Sequence, residues 1–195
     1  MDWHEVLGIG AAVIQVASFI PYIRDMIKGS TRPNLVSFLL WTLTLSITIS
    51  ALWSAGASWP LALLVGAWLG TVSVAVLVAI GYGYNKFGYV EKISLVLSLA
   101  AIVLWQITSE PLVAIIFAVL ADAIAYAPTL VKTYRDPTSE SIIFWFAIFV
   151  ADMLGAISTT KVDVANLLFP ISYGLMNMAV VLIILLNRSS KRPLK

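Results

Sequence analysis

Long apolar stretches separated by short polar gaps dominate the pattern along this chain. A helix that crosses a membrane needs about 20 mostly apolar residues, and seven stretches approach that length. Pro60 and Pro111 stand at the start of two of them, where the missing N–H of proline is tolerated. We predict an all-α membrane protein with seven transmembrane helices at Val6 to Tyr22, Leu35 to Ala55, Pro60 to Tyr82, Ile93 to Ile107, Pro111 to Val131, Ile142 to Thr159 and Val164 to Leu186.

The basic residues alternate from one gap to the next. Every second gap is basic, and together these gaps hold eleven of the twelve lysines and arginines, with Lys161 outside them. The positive-inside rule therefore predicts that the N-terminus faces out and the C-terminus faces in, which requires an odd number of spans. The basic gaps are Arg24 to Arg32, Asn85 to Lys92, Lys132 to Glu140 and Asn187 to Lys195.

Composition agrees with a membrane environment and excludes several function classes. The chain is 61% hydrophobic and 11% charged, whereas soluble domains carry about 25% charged residues. It has no cysteine and one histidine, His4, so neither a metal centre nor a Ser-His-Asp triad is expected. A phosphate-binding glycine loop is absent from the sequence, so no ATP-driven pump is expected. Without a metal centre or a triad, we also expect no enzyme and no cofactor. The basic tail predicts contact with lipid headgroups rather than with nucleic acid.

The sequence repeats itself. Shifting it by 107 residues places Pro21 to Thr31 over Pro128 to Thr138, and Gln15 over Asp122. A slightly different offset places Gly70 over Gly174. Since one extra span lies between the two copies, both have the same orientation, as in parallel-repeat transporters. The predicted units are 1–82 (first three-helix repeat), 83–110 (inner loop and linker helix) and 111–195 (second three-helix repeat with the basic tail).

This layout of three, one and three helices resembles the SWEET sugar transporters and the wider PQ-loop proteins. The closest matches are Pro21 to Thr31 and Pro128 to Ser141, which are similar to the family's proline and basic Ser/Thr turn; Tyr22 and Thr129 replace the glutamine of its Pro-Gln pair. The resemblance implies a solute site near the glycines of the third helix of each repeat, where Tyr173 precedes Gly174. It also implies a site tryptophan, matched by Trp53.

Two carboxylates, Asp122 and Asp152, lie well inside predicted spans. A carboxylate at the bilayer centre costs about 2.5 to 3.5 kcal/mol on insertion scales, which makes it a functional candidate by default. Asp122 and Tyr126 share one face of the fifth span, and Trp145 and Asp152 share one face of the sixth. These residues either bind a solute and carry a proton, or form hydrogen bonds between helices.

Other polar side chains in the spans have the same two interpretations. Asn177, its repeat mate Ser73, and Gln15 either line the site or bridge helices. Pro21 and Pro128, at matching positions near the inner ends of their spans, are either gating hinges or simple helix ends. The predicted substrate-binding residues are Asp122, Asn177, Tyr173, Ser73, Gln15, Trp53, Trp145, Asp152 and Tyr126.

Two functions remain open on the sequence. The first is a transporter that moves a small polar solute, sugar-like or amino-acid-like, through a central cavity by alternating access, with proton coupling through Asp122 and Asp152. The second is a receptor or assembly protein on the same fold. The short chain favours a prokaryotic plasma membrane, and association into a homo-oligomer stays open.

Overall fold

The computed structural model describes residues 2–54, 59–107, 111–160, 162 and 164–190, without the side chains of 48, 50–54, 59–64, 105, 111–115, 164–166, 169 and 188–190. The prediction of an all-α chain with seven helices is confirmed in these residues. The helices are α1 (Trp3–Ile27), α2 (Leu35–Ser54), α3 (Trp59–Ala79), α4 (Tyr89–Ile107), α5 (Pro111–Arg135), α6 (Ile142–Ile157) and α7 (Val164–Ser190).

Three helical stretches of the described residues are long and apolar enough to cross a membrane. They are Trp3–Ile27, Ile116–Arg135 and Pro170–Asn187. Shorter apolar stretches lie in three further helices, at Leu35–Ile47, Val65–Ala79 and Ile142–Ile157.

The helix ends follow from local chemistry. Gly29 (φ 75°) and Gly81 (φ 112°) adopt the left-handed region just after α1 and α3, where glycine ends a helix without a Cβ penalty. The Asn34 side chain accepts a hydrogen bond from a backbone N–H of the first turn of α2 at 3.0 Å. Ser141 accepts one from the first turn of α6 at 3.4 Å. These two caps are 107 residues apart, so both repeats start their second helix in the same way.

Six of the helices close a ring around the centre of the molecule. In the first half α3 packs against both α1 and α2, and in the second half α7 packs against both α5 and α6. The ring is closed where α1 contacts α6 and where α2 contacts α5, and α4 packs on the outside of α5 and α2. Each junction therefore joins the first helix of one half to the second helix of the other half.

The two junctions follow the 107-residue offset. At the α1–α6 junction the rings of Tyr22 and Phe144 stack with their centroids 3.9 Å apart. The residues 107 positions away are Thr129 and Ser37. At the α2–α5 junction the Thr129 hydroxyl donates to the Ser37 hydroxyl at 2.9 Å. An approximate two-fold relation between the halves explains why the same pair of positions meets at both junctions.

Three loops meet at one end of the bundle, which we call the basic end. It comprises residues 28–34, 80–88 and 136–141. The Arg32 N–H donates to the Ser139 carbonyl at 2.8 Å, and the Tyr84 N–H donates to the Pro33 carbonyl at 2.8 Å. At the opposite end a ring nitrogen of His4 lies 3.2 Å from the Ser158 carbonyl. The first three predicted basic gaps therefore lie on one side of the bundle.

The bundle has an apolar outside, and its interior holds buried polar side chains beside an apolar core. Ile20 on α1 is 73% exposed and Ile143 on α6 is 71% exposed, whereas Asp122 is 2% and Asn177 is 0% exposed. Aspartate and lysine are almost never fully buried in proteins unless they are paired. Large contiguous apolar surfaces mark contact with another apolar phase.

Gly70 provides a test of the packing between α3 and α1. A Cβ at Gly70 would lie 2.5 Å from the Phe19 ring, whereas a Cβ at Gly10 would meet nothing within 4 Å. We expect Gly70→Ala to unfold at a temperature several degrees below that of Gly10→Ala, because overpacking costs about 1 to 3 kcal/mol. Thermal unfolding of both variants in detergent checks this, and equal unfolding temperatures would contradict it.

Candidate functional site

A partly open cavity of about 480 Å³ lies between the two halves. Each of the six ring helices contributes to its lining. The lining runs from Gly8 and Ser158, near the end of the bundle opposite the basic end, to Phe19 and Phe144. Small-molecule sites typically have volumes of about 300 to 1,000 Å³, so the cavity can hold a small solute.

Asp122 lies on α5 where that helix packs against α2. The Thr44 hydroxyl donates to Asp122 Oδ1 at 2.7 Å, and the Tyr173 hydroxyl is hydrogen-bonded to the same carboxylate. The carboxylate therefore joins α2, α5 and α7, and it connects the two halves. It is placed behind Tyr173, which itself lines the cavity.

Asp152 belongs to a second chain of hydrogen bonds. The Asn177 side-chain amide donates to Asp152 Oδ2 at 2.7 Å. The Tyr126 hydroxyl donates to Asn177 Oδ1 at 2.8 Å. All three side chains line the cavity. The structure thus gathers five predicted residues, Asp122, Tyr126, Asp152, Tyr173 and Asn177, into one polar cluster on α5, α6 and α7.

Aromatic rings surround this cluster. The Trp41 ring lies 4.6 Å from the Tyr126 ring and 6.1 Å from the Trp145 ring, centroid to centroid. The Tyr126 and Tyr173 rings meet edge to face at 6.2 Å. Trp41 comes from the first half, while the other three rings come from the second half.

Only some of the remaining predicted site residues line the cavity. Gln15 and Trp145 line the cavity, and the Trp53 side chain lies outside the described residues. The placement of Ser73 in the site is wrong, because Ser73 is exposed on α3 and its hydroxyl donates to the Leu69 carbonyl at 2.6 Å. Thr71 lines the cavity instead. Residues that are two positions apart in a helix point about 200° apart. A register error of two residues therefore explains why Thr71, rather than Ser73, faces the cavity.

Pro21 and Pro128 lie inside α1 and α5. The alternative that they simply end these helices is wrong, because both helices continue past them to Ile27 and Arg135. Each proline removes one helical N–H donor and directly precedes a residue of a junction, Tyr22 or Thr129. Their role as gating hinges stays a prediction.

A buried ion pair lies between the cavity and the basic end. Lys132 Nζ lies 2.6 Å from Glu140 Oε1. The other oxygen, Glu140 Oε2, accepts hydrogen bonds from the Tyr22 hydroxyl and the Trp145 indole N–H, both at 2.9 Å. Lys132 also donates to the Arg32 carbonyl. This group, which we call the Glu140 cluster (Tyr22, Lys132, Glu140, Trp145), connects the halves at α1, α5 and α6.

The sequence prediction missed the Glu140 cluster, because Lys132 was interpreted only as a topology charge. The sequence did contain a signal for this cluster. Glu140 lies two residues before the first residue of the apolar helix α6, and a charge in that position is partly removed from water and needs a partner. Nearby, hydrogen bonding by Thr138 holds the pKa of Asp136 below its usual value, and the Arg32 charge acts in the same direction. Asp136 lies 3.7 Å from Arg32, so a weaker, exposed pair adds to the connection between the halves.

The cavity presents groups that can bind a small polar molecule. It offers carboxyl, amide and hydroxyl groups beside aromatic rings. Within the described residues, no three histidine or acidic side chains converge to hold a metal ion.

No protein-family model, curated protein or solved structure matches the chain.

The buried ion pair allows a double-mutant test. We expect Glu140→Gln and Lys132→Met each to lower the unfolding temperature markedly, because breaking a buried pair at one partner costs about 3 to 5 kcal/mol. The double variant should lose less than the sum of the two single losses. The control is Asp25→Asn, which removes the exposed pair with Arg24 and should change little. Additive losses, or losses no larger than that of the control, would contradict this assignment.

Proposed function

We propose that this chain is an integral membrane transporter that moves a small polar solute by alternating access. In this proposal all seven helices cross the membrane, with the N-terminus outside and the basic end inside the cell. The single observation that carries it is the cavity between the two halves, with the Glu140 cluster lying between this cavity and the basic end.

The polarity of the bundle supports the membrane placement. Exposed side chains such as Ile20 and Ile143 are apolar, and the interior holds Asp122, Asn177 and the Glu140–Lys132 pair. A protein in a bilayer has this distribution, because lipid solvates apolar surface and polar side chains have to find partners inside. The meeting of three basic gaps at one end supports the predicted orientation.

The ring of helices supports alternating access. Each half is a three-helix unit with the same internal packing, and the halves meet at two similar junctions. In parallel-repeat transporters the solute site lies between the repeats and the repeats move against each other. This arrangement is the basis on which we propose kinship with the SWEET and PQ-loop proteins.

Proton coupling is the part of the proposal that rests on Asp122 and Asp152. Both carboxylates lie in the cluster that borders the cavity, and Asp122 connects α2 of one half to α5 and α7 of the other. A carboxyl group at such a junction can exchange a proton when the halves separate. A receptor without net transport is the second candidate, because a binding cavity alone serves it equally well.

Solute uptake into proteoliposomes tests the proposal. Purified protein is assayed with sugars, amino acids, amines and small vitamins, with and without an imposed pH gradient. We expect uptake that responds to the gradient and loses this response in Asp122→Asn, with Asp25→Asn as the matched control. Uptake that ignores both gradient and mutation would contradict proton coupling, and absence of uptake for every solute would favour the receptor.

Closure at the basic end predicts one-sided access to the cavity. The chain has no cysteine, so a single cysteine at Ala12, which lines the cavity, can be labelled with a charged maleimide from either side. We expect labelling mainly from the side of the α1 N-terminus. Adding Glu140→Gln should increase labelling from the basic side, because two hydrogen bonds and an ion pair then weaken together. Equal labelling from both sides before that change would contradict the assigned closure.

A further inference from the structure

A second cavity, of about 470 Å³, opens at the basic end of the bundle. It is bordered by Arg32 and by parts of 83–91 and 131–139, and its described lining shares no residue with that of the central cavity. We call it the basic-end pocket. Its volume falls within the range of about 300 to 1,000 Å³ that is typical of small-molecule sites. The proposed path of a transported solute makes no use of this pocket.

Cations outnumber anions in the described lining of the basic-end pocket. The charged side chains are Arg32, Lys86, Lys132 and Arg135 on the positive side, and Glu91 and Asp136 on the negative side. Lys132 is buried and held by Glu140, whereas the other three cations are exposed. Arg32 comes from the first half, Lys86 from the loop before α4, and Arg135 from the end of α5.

The two carboxylates of the lining are already bonded to groups of the protein. Glu91 is buried, and its oxygens accept from the Asn34 side-chain amide at 3.1 Å and from the Gly88 N–H at 3.0 Å. Asp136 accepts from a threonine hydroxyl at 2.6 Å. Lys86, by contrast, takes part in no ion pair within the described part of the chain. The pocket therefore favours an anionic ligand.

Backbone hydrogen bonds hold the loops of this pocket in place. The Arg32 N–H donates to the Ser139 carbonyl at 2.8 Å, and the Tyr84 N–H donates to the Pro33 carbonyl at 2.8 Å. The loops that carry Arg32 and Lys86 are thus joined to each other and to the loop that follows α5. A binding site that is ordered before its ligand arrives loses less conformational entropy on binding.

An exposed apolar stripe on α4 leads away from the pocket. Tyr89 lines the pocket and is 80% exposed. Ile93, Val96 and Leu97 follow it at helical spacing on the same face, and all three are exposed. Tyrosine is enriched where a membrane meets water, with its ring at the level of the headgroups. A polar pocket with an apolar continuation suits an amphiphile, whereas a free phosphate ion would leave the stripe without a contact.

We propose that the basic-end pocket binds the phosphate headgroup of an anionic phospholipid of the inner leaflet. The phosphate lies among Arg32, Lys86 and Arg135, and an acyl chain follows the stripe from Ile93 to Leu97. Arginine binds phosphate through charge-assisted hydrogen bonds, and basic pockets between membrane helices on the cytoplasmic side bind lipid headgroups. This inference rests on the membrane placement in the proposed function and does not require transport.

Lipid binding to the purified protein in a neutral detergent tests the proposal. The probe is dioleoyl-phosphatidylglycerol, measured by native mass spectrometry against dioleoyl-phosphatidylcholine, which has the same phosphate and chains but an added cation. We expect phosphatidylglycerol to bind at least tenfold more tightly. Equal binding of the two lipids would overturn the proposal.

Soluble anions distinguish a lipid from a free phosphate compound. Inorganic phosphate and glycerophosphoglycerol, which is the headgroup without its chains, are added as competitors of phosphatidylglycerol. We expect neither to displace the lipid at a tenfold excess, because neither contacts the stripe on α4. Displacement by glycerophosphoglycerol at the concentration of the lipid itself would assign the pocket to a soluble anion and overturn the lipid.

Substitutions locate the bound headgroup. Lys86→Gln should weaken the binding of phosphatidylglycerol at least threefold, and Lys86→Gln with Arg135→Gln at least tenfold. Lys28→Gln is the matched control, because Lys28 is an exposed lysine of the same basic end that does not line the pocket. It should bind the lipid as the unchanged protein does. Equal weakening by Lys28→Gln and Lys86→Gln would mean that the whole basic surface attracts the lipid, and would overturn a defined site.

Two further measurements separate this inference from the function on which it rests. Selective binding of phosphatidylglycerol by a protein that takes up no solute would refute transport and leave the lipid site standing. Solute uptake by a protein that does not prefer phosphatidylglycerol would refute the lipid site and leave transport standing. Release of the chain from membranes by alkaline extraction would refute the membrane placement and the lipid site together.

Discussion

The Glu140 carboxylate is the contact on which the closed side of this bundle depends. A carboxylate removed from water has to be paired and hydrogen-bonded, and here both oxygens are occupied, by Lys132, Tyr22 and Trp145. These donors come from both halves, so one charged group holds the halves together. The Tyr22 ring lies beside it and stacks on Phe144, which lines the base of the cavity. Without the carboxylate, that base would keep its apolar contacts and lose the directional ones.

Hydropathy predicted the number of helices correctly, because each helix contains one long apolar run. It placed the ends of α1 and α5 too early, at Tyr22 and Val131, because charged residues such as Arg24 and Lys132 occupy the last turns. Backbone hydrogen bonds continue through charged turns that a membrane-based count excludes. The repeat offset was correct at the junctions, where Tyr22 and Thr129 both make inter-half contacts. The slightly different offset that aligned α3 with α7 failed at Ser73, which is exposed while its mate Asn177 is buried. Uniformly apolar sequences carry little register information.

Much of the site was predictable, because few polar side chains occur in the apolar spans and each needs a partner. Asp122, Tyr126, Asp152 and Asn177 therefore had to lie near one another or near hydroxyl groups. Thr44 was not singled out, since hydroxyls in membrane helices usually bond their own backbone. Thr44 does contact the Trp41 carbonyl at 3.1 Å, but it also donates to Asp122 at 2.7 Å. Which of several hydroxyls faces a carboxylate depends on the helix packing, and the sequence alone does not contain it.

The two halves have the same helix arrangement, but their buried polar and aromatic side chains differ. At the 107-residue offset, Asp122 corresponds to Gln15 and Glu140 corresponds to Pro33, so both of these buried carboxylates belong to the second half. The first half contributes Trp41 to the cavity and Tyr22 to the Glu140 cluster. Trp145 takes part in both, because its ring lines the cavity while its indole N–H donates to Glu140. Any movement of the Trp145 ring in the cavity therefore also changes the hydrogen bond that this residue donates to Glu140.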